Sequence, residues 1–258
     1  MCIRDSYAGS KFVGLKVFEK VFKHRDFGKA VANTLLLNVL DLLFSFPMPI
    51  ILALLLNEIR VKWFKRVTQT LLYLPHFLSW VVIGATAYAM FATNSGVINT
   101  LIANAGKSPI PFLQEDAWWL FSYILIGIWQ TMGWGTIIYL AAITNVNSEL
   151  YEAAKVDGAN RWQQCLHVTL PCIRSTIVVM LIMQLGKLMG GSFERIVALS
   201  NAKATEYTTT IPVLVFKWFQ GNKFSESTAL GLFQSVIGVI LVVASDKIAK
   251  KLGEDGLL

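Results

Sequence analysis

Apolar residues run in five long blocks: Val31–Leu56, Leu71–Ala92, Trp118–Thr144, Ile173–Leu199 and Thr228–Ala244. At about 1.5 Å of rise per residue, roughly 20 residues cross a ~30 Å hydrocarbon core, so the blocks predict five membrane-spanning helices. Polar positions inside the blocks are few. Asn38 and Asp41 lie in the first, which also holds Pro47 and Pro49 and is expected to kink or break there. The third carries Trp118 and Trp119 at one end, where indoles favour the interface, and Trp129, Gln130 and Trp134 further in. Its Gly127, Gly133 and Gly135 thin the helix for close packing. The fourth contains Gln184, Lys187, Ser192, Glu194 and Arg195; Lys187 and Glu194, seven apart on one helical face, fit an internal ion pair as well as a ligand site.

The segments between the blocks read differently. Asn57–Gln69 is a basic loop, and Thr93–Asp116 is a loop rich in Gly, Pro and Asn with Lys107 as its only cation. Thr208–Phe219, with Pro212, is too short to cross and predicts a helix lying at the outer surface. Phe12, Leu15, Phe18, Val21 and Phe22 recur at helical spacing, so Lys11–Lys23 reads as a helix at the membrane edge or as a plain solvent-facing one. Met1–Ser6 fits neither a cap nor a span.

The most informative polar stretch is Leu150–Pro171, LYEAAKVDGANRWQQCLHVTLP. Asn147 or Ser148 can cap a short helix whose first turn carries Glu149 and Glu152, where acids suit the positive helix end. Gly158 interrupts it. Asn160, with Gln163 three residues on, has the spacing of a capping box for a second helix, which Pro171 is expected to close. The product is a helical hairpin with a glycine corner.

This stretch resembles a known family. Glu152-Ala153-Ala154, three residues, Gly158, nine residues, then Val168-Thr169-Leu170-Pro171 is similar to the cytoplasmic EAA loop of binding-protein-dependent ABC importer permeases, with valine where the family usually has isoleucine. Asp157-Gly158-Ala159 and Gln163 resemble its carbohydrate-uptake branch. Pro49-Ile50-Ile51-Leu52-Ala53-Leu54-Leu55-Leu56-Asn57-Glu58, Leu72-Tyr73-Leu74-Pro75-His76-Phe77, Gly96-Val97-Ile98-Asn99 and Phe193-Glu194, in this order, look like the oligosaccharide and polysaccharide-fragment permeases of that branch, which are maltose-permease-like. The resemblance implies a type I ABC importer permease fold, a multi-pass place in the bacterial plasma membrane, and an inward sugar or oligosaccharide flux. It implies as partners a second, similar permease in a heterodimer, a dimer of ATP-binding cassette ATPases that holds ATP and Mg, an extracellular sugar-binding protein, and membrane lipid. The residues placed at the ATPase are Glu152, Ala153, Ala154, Asp157, Gly158, Ala159, Leu170 and Pro171.

Composition narrows the alternatives. With 55% hydrophobic residues and a mean hydropathy of +0.55, the 258-residue chain is a polytopic all-α membrane protein. Its net charge of +7 calls for no nucleic-acid partner, because Lys and Arg gather beside spans. Cys2, Cys165 and Cys172 form no CxxC pair or metal spacing, and the chain has no GxxxxGK[ST], GxSxG or HExxH motif, so no catalytic residue, metal or cofactor is assigned to it.

Charge also tests topology. With the hairpin in the cytoplasm, the inside segments hold 10 Lys and Arg and the outside segments 11, seven of these before Val31. Without the N-terminal region the balance becomes 10 to 4, a clear inside bias. The expected organisation is therefore residues 1–29 as an external or interfacial segment, 30–245 as the permease domain with a cytoplasmic coupling loop at 147–171, and 246–258 as a cytoplasmic tail. A span preceding Met1 is expected to be lacking, with Lys11–Lys29 as an external link. The rival topology inverts the chain and puts the hairpin outside.

Candidates for a sugar pathway are the aromatic and hydrogen-bonding residues of the spans: Asn38, Asp41, Trp129, Gln130, Trp134, Gln184 and Glu194. For the tryptophans lipid contact or interhelical packing competes with that role, and for Asn38 and Gln184 interhelical hydrogen bonds do. A stand-alone secondary transporter or channel would use Asp41, Lys187 and Glu194 as an ion path but leaves the hairpin without a role and shows no internal repeat. An intramembrane enzyme would need a clustered nucleophile and base, which the sequence does not offer.

Overall fold

A computed structural model describes residues 13–201, 203, 206–251 and 253. In chain order the helices are α1 (Lys16–Phe22), α2 (Phe27–Glu58), α3 (Lys62–Phe77), α4 (Trp80–Phe91), α5 (Val97–Asn104), α6 (Asp116–Thr144), α7 (Ser148–Val156), α8 (Arg161–Cys172), α9 (Arg174–Gly186), α10 (Phe193–Leu199), α11 (Ile211–Gln220) and α12 (Phe224–Lys251). Unbroken α2, α6 and α12 are each long and apolar enough to cross a membrane. Two bent pairs reach the same length and apolarity only when each is taken as one unit: α3 with α4 at 104°, and α8 with α9 at 61°.

Pro47 and Pro49 do not break α2. Residues Asp41–Ser45 form a wide π-turn, in which the Phe46 amide reaches back to the Asp41 carbonyl at 3.0 Å. The wide turn accommodates Pro47, which has no N–H to donate and whose ring crowds the preceding turn. A π-turn also appears in α8, at Cys165–Thr169, and the helix ends at Cys172, one residue past the Pro171 that the sequence reading expected to close it. The chain turns one residue past Cys172, at Ile173.

The second and fourth blocks differ most from expectation. Lys62 already begins a helix, so most of the basic segment expected as a loop is helical. That helix ends after Pro75, Leu78 turns extended, and the Ser79 hydroxyl accepts the Val82 amide to start α4. The fourth block is not one helix. It stops at Gly186, passes through a turn in which Gly191 takes φ +78°, and resumes at Phe193. A left-handed φ is open to glycine without the Cβ clash that other residues meet.

Three apolar clusters surround these breaks. Leu37, Ile83, Trp119, Tyr123 and Ile196 form one, and Ala53, Leu56, Tyr139, Leu140 and Ile173 form another, nearer the hairpin. The third joins α1, α11 and α12 through Val21, Ile211, Leu214, Trp218 and Leu230. α11 is thus inserted against α2 and α12 and does not merely lie at the surface; its Ile211 amide donates to the Thr34 hydroxyl at 2.9 Å. α1 rests on α12, with Phe22 and Phe27 edge-on to Phe233. Residues 1–12, which include Met1–Ser6 and Phe12, lie outside the described residues.

The two ends of the bundle carry different ties. At one, Lys20 pairs with Glu226, Lys29 with Glu206 at 2.9 Å, and the Glu206 amide donates to Asp116. At the other, Arg161 of the hairpin pairs with Glu58 at 2.5 Å. The N-terminal segment therefore packs at the end opposite the hairpin. In the long loop before α6, Asn99 is buried, donates to the Ala92 and Ile110 carbonyls and accepts the Ile110 amide, which gives the loop a hub.

Candidate functional site

The hairpin is built as its residues dictate. Asn147 accepts the Glu149 amide at 3.0 Å and opens α7. Gly158 ends it at φ +81°, and the Ala159 and Gly158 amides donate to the Ala154 and Lys155 carbonyls at 2.8 and 3.0 Å. This is a Schellman closure, which needs a left-handed residue at the glycine position. The capping box forms with both bonds: Asn160 accepts the Gln163 amide, and the Gln163 side chain accepts the Asn160 amide. Tyr151 and Thr169 share a hydroxyl hydrogen bond of 3.0 Å that ties α7 to α8. Glu152, Ala153, Asp157, Gly158 and Pro171 are exposed; Ala154, Ala159 and Leu170 are half-buried. Val156 and Trp162 stand out at 88% and 70% exposure, large apolar groups offered to solvent by a rigid corner.

A second feature lies within the spans. A cavity of about 1020 Å³ opens between α2, α3, α6, α9 and α12. Asn38, Asp41, Trp134 and Gln184 line it, joined by Lys187, for which a ligand site was one of two readings, and by His76, Arg195 and Gln234, which the sequence reading had not placed there. His76 and Trp134 are stacked, with ring centroids 4.6 Å apart and planes within 6°. Trp129, Gln130 and Glu194 do not line the cavity: Trp129 is partly exposed elsewhere on α6, Gln130 is buried, and Glu194 is exposed at the start of α10.

The expected Lys187–Glu194 pair does not form; the break after Gly186 destroys their seven-residue register. The buried pair is Asp41–Arg195. The guanidinium meets both carboxylate oxygens, at 3.0 and 3.2 Å, and Ser45 donates to the same carboxylate at 3.0 Å. The Arg195 Cζ lies 3.4 Å from the Tyr123 ring centroid and 5.9 Å from that of Trp80, a cation held over aromatic faces. Bidentate geometry and the burial of both partners make this a strong charge contact. The signal available in the sequence was Asp41 itself: an acid in an apolar helix needs a cation, and away from the block ends only Lys187 and Arg195 offer one, Arg174 standing at the very start of its block.

Residues 29–252 match the description "Binding-protein-dependent transport system inner membrane component". The chain belongs to this family. As an inner membrane component it is 45% identical to the polygalacturonan/rhamnogalacturonan transport system permease protein YteP of Bacillus subtilis (strain 168), over 96% of this chain and 78% of that one. It is 42% identical to Protein LplB of the same organism, over the same shares of the two chains. Among solved structures, the inner membrane component superposes on a chain of the bacterial alginate ABC transporter, crystallised with an alginate pentasaccharide-bound periplasmic protein. The TM-score is 0.91 and the identity 36%, over 95% of this chain and 85% of that chain. The fold is thus that of a type I importer permease.

Proposed function

We propose that this inner membrane component is one permease half of an ATP-driven importer that carries an oligosaccharide delivered by an external binding protein. The observation that carries the coupling half of the proposal is the hairpin. It presents Val156 and Trp162 to solvent from a Schellman corner, and a rigid exposed apolar surface of this kind suits docking into a cleft of another subunit. ATP and Mg belong to that separate ATPase dimer, and the chain's own role is translocation. Glu152, Ala153, Ala154, Asp157, Gly158, Ala159, Leu170 and Pro171 form or brace the docking surface.

The cavity supplies the other half. Stacked His76 and Trp134 offer a flat face to a sugar ring, and Asn38, Gln184 and Gln234 offer amides to its hydroxyls. The names of the relatives, polygalacturonan/rhamnogalacturonan and alginate, point to oligosaccharides as the cargo. A second, similar permease completes the cavity from its open side, and the end that carries Lys20, Lys29 and Glu226 faces the binding protein. Alternating access follows when nucleotide and cargo each favour a different one of two shared conformations.

The test is co-expression with the neighbouring permease and its ATPase, with capture on the ATPase. The native chain is expected to be captured, and Glu152→Lys and Gly158→Pro to lose it. Unchanged capture of both variants would reduce the hairpin to a connector. Oligosaccharide uptake that persists without any ATPase subunit would favour a stand-alone transporter.

A further inference from the structure

We propose that Lys187 reads a carboxylate on the cargo, so that the oligosaccharide carried is acidic, a chain bearing uronate residues. The inference rests on the importer reading and adds its substrate chemistry.

Three residues of fixed charge line the cavity: Asp41, Lys187 and Arg195. Asp41 and Arg195 neutralise each other in the buried bidentate pair. Lys187 is exposed to the cavity, and no carboxylate of the described residues pairs with it. The lining therefore carries one uncompensated positive charge, at the turn that ends the apolar helix α9, and a lone cation among apolar spans is costly and marks a functional position.

The backbone holds this ammonium in place. Lys187 follows the last residue of α9, and its amide donates to the Gln184 carbonyl at 3.0 Å. The Gly190 amide closes back on the Lys187 carbonyl at 2.8 Å, so the residue heads a tight turn and not a mobile loop. Position 191 cannot readily be filled: at φ +78° a Cβ there would stand 3.1 Å from the Asn38 amide nitrogen. The carbonyl end of α9 favours a cation at this point, which helps retain the charge without neutralising it.

Cation, flat aromatic face and amides together match a pyranose ring that carries a carboxylate. The ring face stacks on Trp134, the hydroxyls meet Asn38 and Gln184, and the carboxylate meets Lys187. A neutral sugar would occupy the same space while displacing water from an ammonium that then has no partner. Loss of such a partner discriminates against the neutral analogue far more than a change of shape would.

The experiment uses the assembled importer in lipid nanodiscs, with no binding protein added, so that only the permease cavity is read. Binding of sodium trigalacturonate and of its fully methyl-esterified form is followed by tryptophan fluorescence, with Trp134 as a reporter at the site. The acid is expected to bind about tenfold or more tightly than the ester. Lys187→Met should erase the difference, and Lys187→Arg should preserve it. Equal binding of acid and ester to the native importer overturns the proposal without any variant, so a Lys187→Met chain that fails to assemble does not protect it. An acid preference that survives in an assembled Lys187→Met importer also overturns it. If the reconstituted importer, supplied with binding protein and ATP, takes up neither acid nor ester, the oligosaccharide-importer reading fails, and this inference with it.

Discussion

Gly127 on α6 faces the guanidinium of Arg195 so closely that a Cβ at position 127 would overlap it. The missing side chain is what lets an arginine lie flat between α6 and α2. Gly127→Ala is expected to displace Arg195 from Asp41 and to destabilise the assembled protein by about 1–3 kcal/mol. Gly231→Ala on α12, where nothing lies within 4 Å, serves as the control and should be neutral or slightly stabilising. Thermal unfolding in detergent compares the two; equal melting of both variants would refute the overlap.

The Asp41–Arg195 pair also predicts non-additive mutations. Asp41→Asn alone strands a buried guanidinium and should cost about 3–5 kcal/mol. Arg195→Met alone strands the carboxylate and should cost a similar amount. The double variant Asp41→Leu/Arg195→Met removes both charges together and should recover most of the loss. A double-mutant cycle on unfolding would read a strong coupling, and simple additivity would count against the geometry.

Gly158 is expected to tolerate no side chain cheaply. Gly158→Ala places a Cβ at φ +81° and should cost about 1–2 kcal/mol, confined to the hairpin. Hydrogen exchange should report it locally, as faster exchange of the Gly158 and Ala159 amides with the α6 amides unchanged. Protection retained at both amides would mean that the corner does not depend on glycine.

The Arg161–Glu58 pair makes the opposite prediction. Both side chains are about half exposed, so the bond contributes little to stability despite its 2.5 Å length. Arg161→Ala should change the unfolding free energy by less than about 1 kcal/mol. Its effect should appear in function, because this contact ties the hairpin to the end of α2: ATP hydrolysis by the assembled importer is expected to become less dependent on cargo. Tight coupling in the variant would remove the contact from the transmission path.

Much of this was legible in the chain before any coordinates. Block length disclosed the long apolar helices α2, α6 and α12, and the spacing of Asn147, Gly158, Asn160 and Gln163 disclosed the hairpin with its caps, because capping is local chemistry written in adjacent residues. The breaks were less legible. Leu71–Ala92 and Ile173–Leu199 look continuous to a hydropathy reading, since their interruptions are made by short turns and not by polar runs. Pro47 misled in the other direction: it sits beside a π-turn that relieves the very clash that was expected to break the helix. The partner of Asp41 was missed for a related reason. A seven-residue spacing pairs Lys187 with Glu194 only if the helix between them is whole, and the choice between two cations depended on a tertiary approach that Gly127 permits.

The break at Lys187–Gly191 has a consequence for the life of the chain before it is assembled. The amides of Lys187 and Leu188 take the Gln184 and Leu185 carbonyls, so the turn satisfies part of the helix end from within. The ammonium of the exposed Lys187 has no such internal relief and calls for water or an anion. That side of the molecule is therefore a poor wall against lipid tails, and a copy of the chain on its own would hold water there until protein covers it.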